Sequence, residues 1–332
     1  MKVITYVTAG LWKNTGGPAE SVPKILKEIS LLNLFKINLI TLEGDLSDNV
    51  LDLYNYNIDI HIVKKTSSSN LYFNPYYINI FNKVIPKSDI IHIQGVWLFP
   101  FWLASIYSLI YKKKIVISTR GSLSPNRLKK SKLKKIISNF LFDKAMLNNA
   151  NLIHTTSKIE QKNVSNFGIK TKSFIVPNGV DIINKNKYKL KLINTEKKIC
   201  LFLGRLDPIK GLDLLIKVWN DIRNEDWLLV ICGPDEKNYK KTIIGMVKKY
   251  NLENHVIFLD PVFGDQKFNL YTQSDIFILP SRGENFGISI AEAMICGLPV
   301  ITTSFTPWDE IEENKCGWFI NLEKDALSKV LL

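Results

Sequence analysis

The stretch Ile276–Thr303, IFILPSRGENFGISIAEAMICGLPVITT, decides the fold. Ile276 to Leu279 is an apolar run of strand length, and Pro280, Ser281 and Gly283 break it as loop residues do. Ile288 to Cys296 is small and apolar, as suits a buried helix, and Gly297 and Pro299 stop that helix. Val300 to Thr303 reads as the next strand. The order is strand, acidic glycine loop, helix, strand. It points a helix N-terminus at the carboxyl end of a parallel strand, where open α/β sheets bind ligands and free N–H groups favour anions.

Two carboxylates stand around that helix end. Glu284 precedes the helix and Glu292 lies in its first turns, with seven residues between them. A carboxylate accepts from neighbouring hydroxyls, so sugar or ribose diols are natural partners. A plainer alternative stays open: Ser289 and Glu292 spell S-x-x-E, a capping box, and Glu284 is a solvated loop acid.

Working outward toward the N-terminus, the same pattern repeats. His255–Leu259 is a strand ending at Asp260-Pro261-Val262, and Trp227–Cys232 is one ending at Gly233-Pro234. Ile199–Leu203 runs into Gly204-Arg205-Leu206-Asp207-Pro208-Ile209-Lys210-Gly211, and a helix follows over Leu212–Arg223. Arg205 and Lys210 bracket that loop. Such cations neutralise a diphosphate, Arg by a fork and Lys as a point charge; the alternative is two surface cations. The lysine-rich segment Lys185–Lys198 marks a boundary, giving domains over 1–184 and 185–332.

In the first half, strands are expected at Lys2–Thr8, Lys36–Leu42, Ile58–Val63, Asp89–Gln94, Ile115–Thr119, Asn151–Thr156 and Ser173–Val176, with helices between most of them. This alternation implies a mainly parallel, doubly wound sheet. Gly16 and Gly17 sit between a strand and a helix, where paired glycines let N–H groups approach a phosphate; a plain turn is the alternative. The pattern is not G-x-G-x-x-G and no acid follows at the ribose position, which argues against nicotinamide binding. Other strand ends carry His92 and Trp97, and then Arg120 beside Gly121. Arg120 suits a phosphate, whereas His92 reads equally well as a satisfied core histidine.

The 332 residues are 46% hydrophobic and 23% charged, with a net charge of +13. That length suits two domains, and the charge admits nucleic acid, an anionic membrane face or acidic substrates. Arg127–Phe142 is basic and amphipathic, with Leu133, Ile136, Ile137, Phe140 and Leu141 on one face. It fits an anionic membrane surface or a core-facing helix with a solvated side. No nucleic-acid motif accompanies it. Val96–Tyr111 falls short of the roughly 20 apolar residues a span needs and contains Pro100, so it reads as a buried or surface-lying helix. No signal peptide is read at the start, because a strand begins at residue 2. The four cysteines form no C-x-x-C and the four histidines show no metal spacing, so a reducing, cytoplasmic setting without a metal is expected.

GGPAES at 16–21, IVPNGVD at 175–181, FLGRLDPIKG at 202–211 and the stretch 280–303 together resemble the retaining glycosyltransferases of family 4. IIHIQGVW, STRGSLSP, Thr306-Pro307-Trp308 and Cys316-Gly317-Trp318 resemble the branch that builds bacterial surface polysaccharides. The resemblance implies a GT-B fold, two Rossmann-like domains facing a cleft, with an acceptor-binding domain first and a nucleotide-sugar-binding domain second. It implies that Arg205 and Lys210 hold the donor diphosphate, that Glu284 binds donor-sugar hydroxyls and that Glu292 binds the ribose. Asn285, Phe286 and Gly287 would offer N–H groups, Gly233 and Val262 would lie near the base or ribose, and Gly17, with Gly16, would approach the phosphate. His92, Trp97 and Arg120 would fall on the acceptor side.

The same resemblance implies a nucleotide-sugar donor, no metal and no other cofactor, while the basic amphipathic stretch and the net charge of +13 motivate a lipid-linked saccharide acceptor at the inner membrane face. The chain departs from the family pattern twice. Arg120 stands where many relatives carry a histidine, and the chain stops at Leu332, short of the final crossover helix. A sugar-nucleotide epimerase and an inactive, truncated transferase are the alternatives.

Overall fold

The computed structural model describes all residues except 14–15, 67–71, 130–134, 136–137, 139–141 and 236–237, together with the side chain of 265. The chain divides into two compact units, Met1–Gly179 and Val180–Leu332. The first holds a seven-stranded parallel sheet made of β1 (Lys2–Val7), β2 (Phe35–Leu42), β3 (Ile58–Val63), β4 (Ile90–Gln94), β5 (Lys114–Ser118), β6 (Leu152–Thr155) and β7 (Ser173–Ile175), in the order β3-β2-β1-β4-β5-β6-β7. The second holds six parallel strands: β8 (Lys198–Leu203), β9 (Trp227–Cys232), β10 (Val256–Leu259), β11 (Ile276–Leu279), β12 (Val300–Thr303) and β13 (Gly317–Ile320), ordered β10-β9-β8-β11-β12-β13. Both are doubly wound, and each strand order reverses once, between β1 and β4 and between β8 and β11. At such a reversal the following loops splay apart and open a crevice.

The sequence explains the strands directly. Parallel strands covered on both faces read as unbroken apolar runs. ICLFL in β8 and LLVIC in β9 are such runs and are buried throughout. The covering helices show the complementary spacing: Leu212–Ile222 buries Leu212, Leu215, Ile216, Val218 and Trp219 on one face. The helix Phe99–Ile110 buries Phe101, Ala104, Ser105 and Ser108 but leaves Ile106, Leu109 and Ile110 exposed, so the run Val96–Tyr111 lies on the surface of its unit. No helix among the described residues is long and apolar enough to cross a membrane.

Three expectations need amendment or fall outside view. β13 was not expected, and neither was the helix Lys324–Leu331 behind it. Of the basic stretch Arg127–Phe142, the apolar face named above lies outside the described residues, as do Lys130, Lys132 and Lys134; Arg127 and Lys129 belong to the short helix Pro125–Lys129. The polar segment at the domain boundary begins inside the second unit, where Lys185–Lys187 forms a 3-10 turn.

The β8/β11 reversal is closed by backbone contact. Gly211 is left-handed (φ 76°), and a Cβ there would lie 2.0 Å from the Pro280 carbonyl oxygen. The Arg282 N–H donates to the Ile209 carbonyl at 2.6 Å and the Ser281 hydroxyl donates to the same oxygen at 3.1 Å. Gly211→Ala combines left-handed strain with a clash against fixed backbone. It is expected to cost about 2–4 kcal/mol and to lower the melting temperature measurably. Melting at the wild-type temperature would show that the two loops are not pressed together.

Candidate functional site

In the second unit the loops after β8 and β11 bring two of the expected residues into contact. Lys210 closes the 3-10 turn Pro208–Lys210, which Asp207 caps by accepting the Ile209 N–H at 3.0 Å. Its ammonium forms an ion pair with Glu284, and both side chains are largely buried, at 13% and 11% exposed. Glu284 is fixed from behind, since its N–H donates to the Phe305 carbonyl at 3.0 Å. Beside the pair, Arg282 grips Asp213 through two parallel bonds of 2.7 and 2.8 Å. Burial pushes the Asp213 carboxyl up, but Arg282 and Tyr239 more than reverse this and hold it below its ordinary value. That fork ties the β11 loop to the first turn of the helix Leu212–Ile222.

Arg205 stands at the start of the same β8 loop, and its backbone nearly touches Gly233. A Cβ at Gly233 (φ 149°) would meet the Gly204 carbonyl oxygen at 1.9 Å and the Arg205 nitrogen at 3.4 Å. Glycine at 233 is therefore a packing requirement of the β8 and β9 ends. Val262 lies past the end of β10 and packs, partly buried, on the apolar core of this unit. Gly287 (φ 85°) is the N-cap of the helix Ile288–Ile295. Among the described residues the N–H groups of Phe286, Gly287, Ile288 and Ser289 have no acceptor, so this helix start can take an anion. Trp308 donates to the Phe286 carbonyl at 2.5 Å and packs on the Phe286 ring, which fixes the loop.

Glu292 takes a different position from Glu284. It is only 4% exposed and accepts from Lys267 at 2.8 Å and from the Tyr271 hydroxyl at 3.0 Å. The capping-box alternative fails, because the cap position belongs to Gly287 and Ser289 falls inside the helix. Lys267 and Tyr271 had not been singled out. Their only mark in the sequence is a four-residue spacing on the helix Asp265–Gln273, which places both on one face. A carboxylate offers about four acceptor positions, so two protein donors leave room for ligand hydroxyls.

In the first unit Gly16, Gly17, Trp97 and Arg120 follow the carboxyl ends of their strands, while His92 lies within β4. Gly16 (φ 81°) and Gly17 open the helix Gly17–Leu31 after β1. Trp97, itself left-handed at φ 75°, donates its N–H to the buried Asp143 at 2.9 Å and its indole N–H to the Ser122 carbonyl at 3.3 Å. His92 belongs to a chain of bonds. His154 Nε2 donates to the Val176 carbonyl at 2.9 Å, so its Nδ1 accepts from Ser118 at 2.7 Å. Ser118 in turn accepts from His92 Nε2 at 2.8 Å, which leaves the lone pair of His92 on Nδ1. Burial, then His154 and Arg120, hold the His92 imidazole well below its usual value, hence neutral. Arg120 donates to Gln94, Asn178 and Ser21. The polar network behind it is centred on buried Glu160, which accepts from Thr119, Gly121 and Thr156.

The family model described as Glycosyltransferase Family 4 matches residues 35–183, and that described as Glycosyl transferases group 1 matches 184–331. An uncharacterized glycosyltransferase of Haemophilus influenzae is 34% identical over 138 residues, 40% of this chain and 38% of that protein. The O-antigen biosynthesis glycosyltransferase WclY of Escherichia coli is 30% identical over 113 residues, 34% of this chain and 30% of that one. The matched stretch thus spans well under half of either relative. In fold, the crystal structure of Anabaena HepE in complex with UDP and glucose superposes with a TM-score of 0.78 at 20% identity, over all of this chain and 89% of that one. WaaG, a glycosyltransferase involved in lipopolysaccharide biosynthesis, gives 0.70 at 18% identity, over 99% of this chain and 89% of that one. The fold is that of the GT-B glycosyltransferases. Two family models that adjoin at residues 183 and 184 and together span 35–331 place the chain in glycosyltransferase family 4.

Proposed function

We propose that the chain transfers a sugar from a nucleotide-diphosphate donor to a hydroxyl, with retention of anomeric configuration. The observation that carries this is the buried Lys210–Glu284 pair at the strand-order reversal of the second sheet, on loops locked together by backbone. With Arg205 at the start of the same β8 loop, it offers what a sugar diphosphate needs: cations for the leaving charge and a carboxylate for sugar hydroxyls. Arg205 and Lys210 supply the charge stabilisation that a metal provides elsewhere. Glu292 accepts the ribose hydroxyls, with Lys267 and Tyr271 holding its carboxylate in place. Catalysis on this reading is positioning and electrostatics. An epimerase would interconvert nucleotide-sugars without an acceptor, which separates it from the transferase in the same assay.

For the acceptor we propose a lipid-linked saccharide of surface-polysaccharide synthesis, reached at an anionic membrane face. The likeness to WclY and the net charge of +13 support this. So does the exposed apolar end of the helix Phe99–Ile110, where Ile106, Leu109, Ile110 and Tyr111 adjoin Lys112, Lys113 and Lys114. Apolar side chains beside cations are what an anionic lipid surface attracts.

Two measurements test these readings. A panel of nucleotide-sugars is first screened by melting shift, and the donor found is used in a transfer assay. Lys210→Ala should lower kcat/KM by roughly 10²–10³, and Glu284→Gln should lower kcat by a similar factor. Because each variant leaves a buried partner unpaired, the uncharged pair K210Q/E284Q serves as the stability control; it should melt near wild type and be equally inactive. Transfer at the wild-type rate by any of the three removes the pair from the mechanism. Separately, the protein should co-sediment with vesicles of anionic phospholipid at low salt, and changing Lys112, Lys113 and Lys114 to Glu should abolish this. Equal binding to neutral vesicles, or none to anionic ones, would sink the membrane reading.

A further inference from the structure

The first unit holds a cation whose contacts are all neutral. Arg120, two residues past the end of β5, takes a left-handed conformation (φ 51°) that a non-glycine residue adopts at a cost of about 1 kcal/mol or more. The residue as a whole is half-buried. Nε and Nη2 donate to the Gln94 side-chain oxygen at 2.9 and 2.7 Å, and Nη1 donates to Asn178 at 2.9 Å and to Ser21 at 3.3 Å. Among the described residues no carboxylate forms an ion pair with it. Glu160 acts on it favourably through space but gives it no hydrogen bond, its two oxygens being taken by Thr119 and Gly121 on one side and Thr156 on the other. Tyr6, whose hydroxyl burial pushes up to about 12, supplies no counter-charge, and His92 and His154 are held neutral mainly by burial.

Buried or half-buried arginines are ordinarily matched to an anion, because neutral oxygens return only part of the lost hydration. Here the fork is held open by Gln94 on one edge. One of the five N–H groups, on Nη2, is left over, and the Nη1 contacts with Asn178 and Ser21 are of the kind a charged acceptor displaces. The residue stands at the carboxyl end of β5, the side of the sheet where ligands enter. We propose that Arg120 anchors an oxyanion site in the first unit that takes the carboxylate or phosphate of an acidic saccharide. Gln94 presents the guanidinium, and Ser21 and Asn178 are its exchangeable partners. Naming the ligand a saccharide rests on the transferase reading; the oxyanion site does not.

The test is therefore made on binding. Titration calorimetry compares methyl α-glucuronide, glucose 6-phosphate and methyl α-glucoside on the full chain, wild type against Arg120→Gln and Arg120→Lys, with folding checked by melting. At least one of the two acidic sugars should bind wild type about tenfold or more tightly than the neutral glucoside. Arg120→Gln should erase that difference and Arg120→Lys should keep part of it. Preference for the glucuronide assigns a carboxylate; preference for the phosphate assigns a phosphoryl group. Equal affinity of wild type for all three, or a preference that survives Arg120→Gln, overturns the proposal. If a nucleotide-sugar competes with the acidic sugar, the oxyanion belongs to the donor; if it does not, to the acceptor. Loss of transfer activity with this preference intact would count against the transferase reading alone.

Discussion

The Pro280 carbonyl lies where any side chain at position 211 would have to go. That single contact brings the loops after β8 and β11 within backbone hydrogen-bonding distance, and much of the second unit's site follows from it. Lys210 precedes Gly211, so the turn that carries the lysine cannot retreat. Arg282, on the facing loop, reaches across to Asp213 and prevents sliding. Glu284 then arrives opposite Lys210 with its own N–H held by Phe305. The ion pair is assembled by rigid segments, so little side-chain entropy remains to be lost when a ligand binds.

How far the sequence reveals this depends on the range of the interactions. Twelve of the thirteen strands were legible as apolar runs bounded by loop residues, with ends displaced by one or two positions where caps fray. β13 was not. Its four residues Gly317-Trp318-Phe319-Ile320 sit among acids and lysines, and only pairing with Val300–Thr303 makes them a strand. Gly317 permits this, since a Cβ there would lie 1.9 Å from the Val300 carbonyl oxygen. In the site, residue types at strand ends were legible because cations, acids and glycines are conspicuous after an apolar run. Their partners were not. Lys267 and Tyr271 reach Glu292 from 25 and 21 residues away, and Asp213 reaches Arg282 across 69. Spacing made Ser289 and Glu292 look like a cap, but Gly287 takes the left-handed position and carries the helix start two residues earlier.

The two units handle charge differently. At the second unit's site three acids face cations: Glu284 has Lys210, Glu292 has Lys267 and Asp213 has Arg282. Pairing of this kind is close to neutral in stability, because burial costs roughly what attraction returns, while breaking one side costs about 3–5 kcal/mol. The first unit instead sets Arg120 among amide and hydroxyl oxygens and seals its acid, Glu160, with N–H and O–H donors. A ligand anion meets an exchange reaction in the second unit, and in the first a cation whose hydrogen-bond partners are neutral and on which Glu160 acts only through space.

Exchange has a consequence for how the second unit would act. A diphosphate oxygen that takes Lys210 removes the partner of a carboxylate only 11% exposed. That carboxylate cannot remain buried and unpaired without a cost of several kcal/mol, so it must find donors at once. Sugar hydroxyls attached to the same diphosphate are the nearest available groups. Engaging the leaving group and gripping the sugar are then one event, since each supplies what the other displaces. A free nucleoside diphosphate, lacking the sugar, would leave Glu284 unsatisfied and bind less well than its contacts alone suggest. On this argument the buried pair contributes selection for the intact donor over the spent one, an advantage that two separately solvated charges would not have.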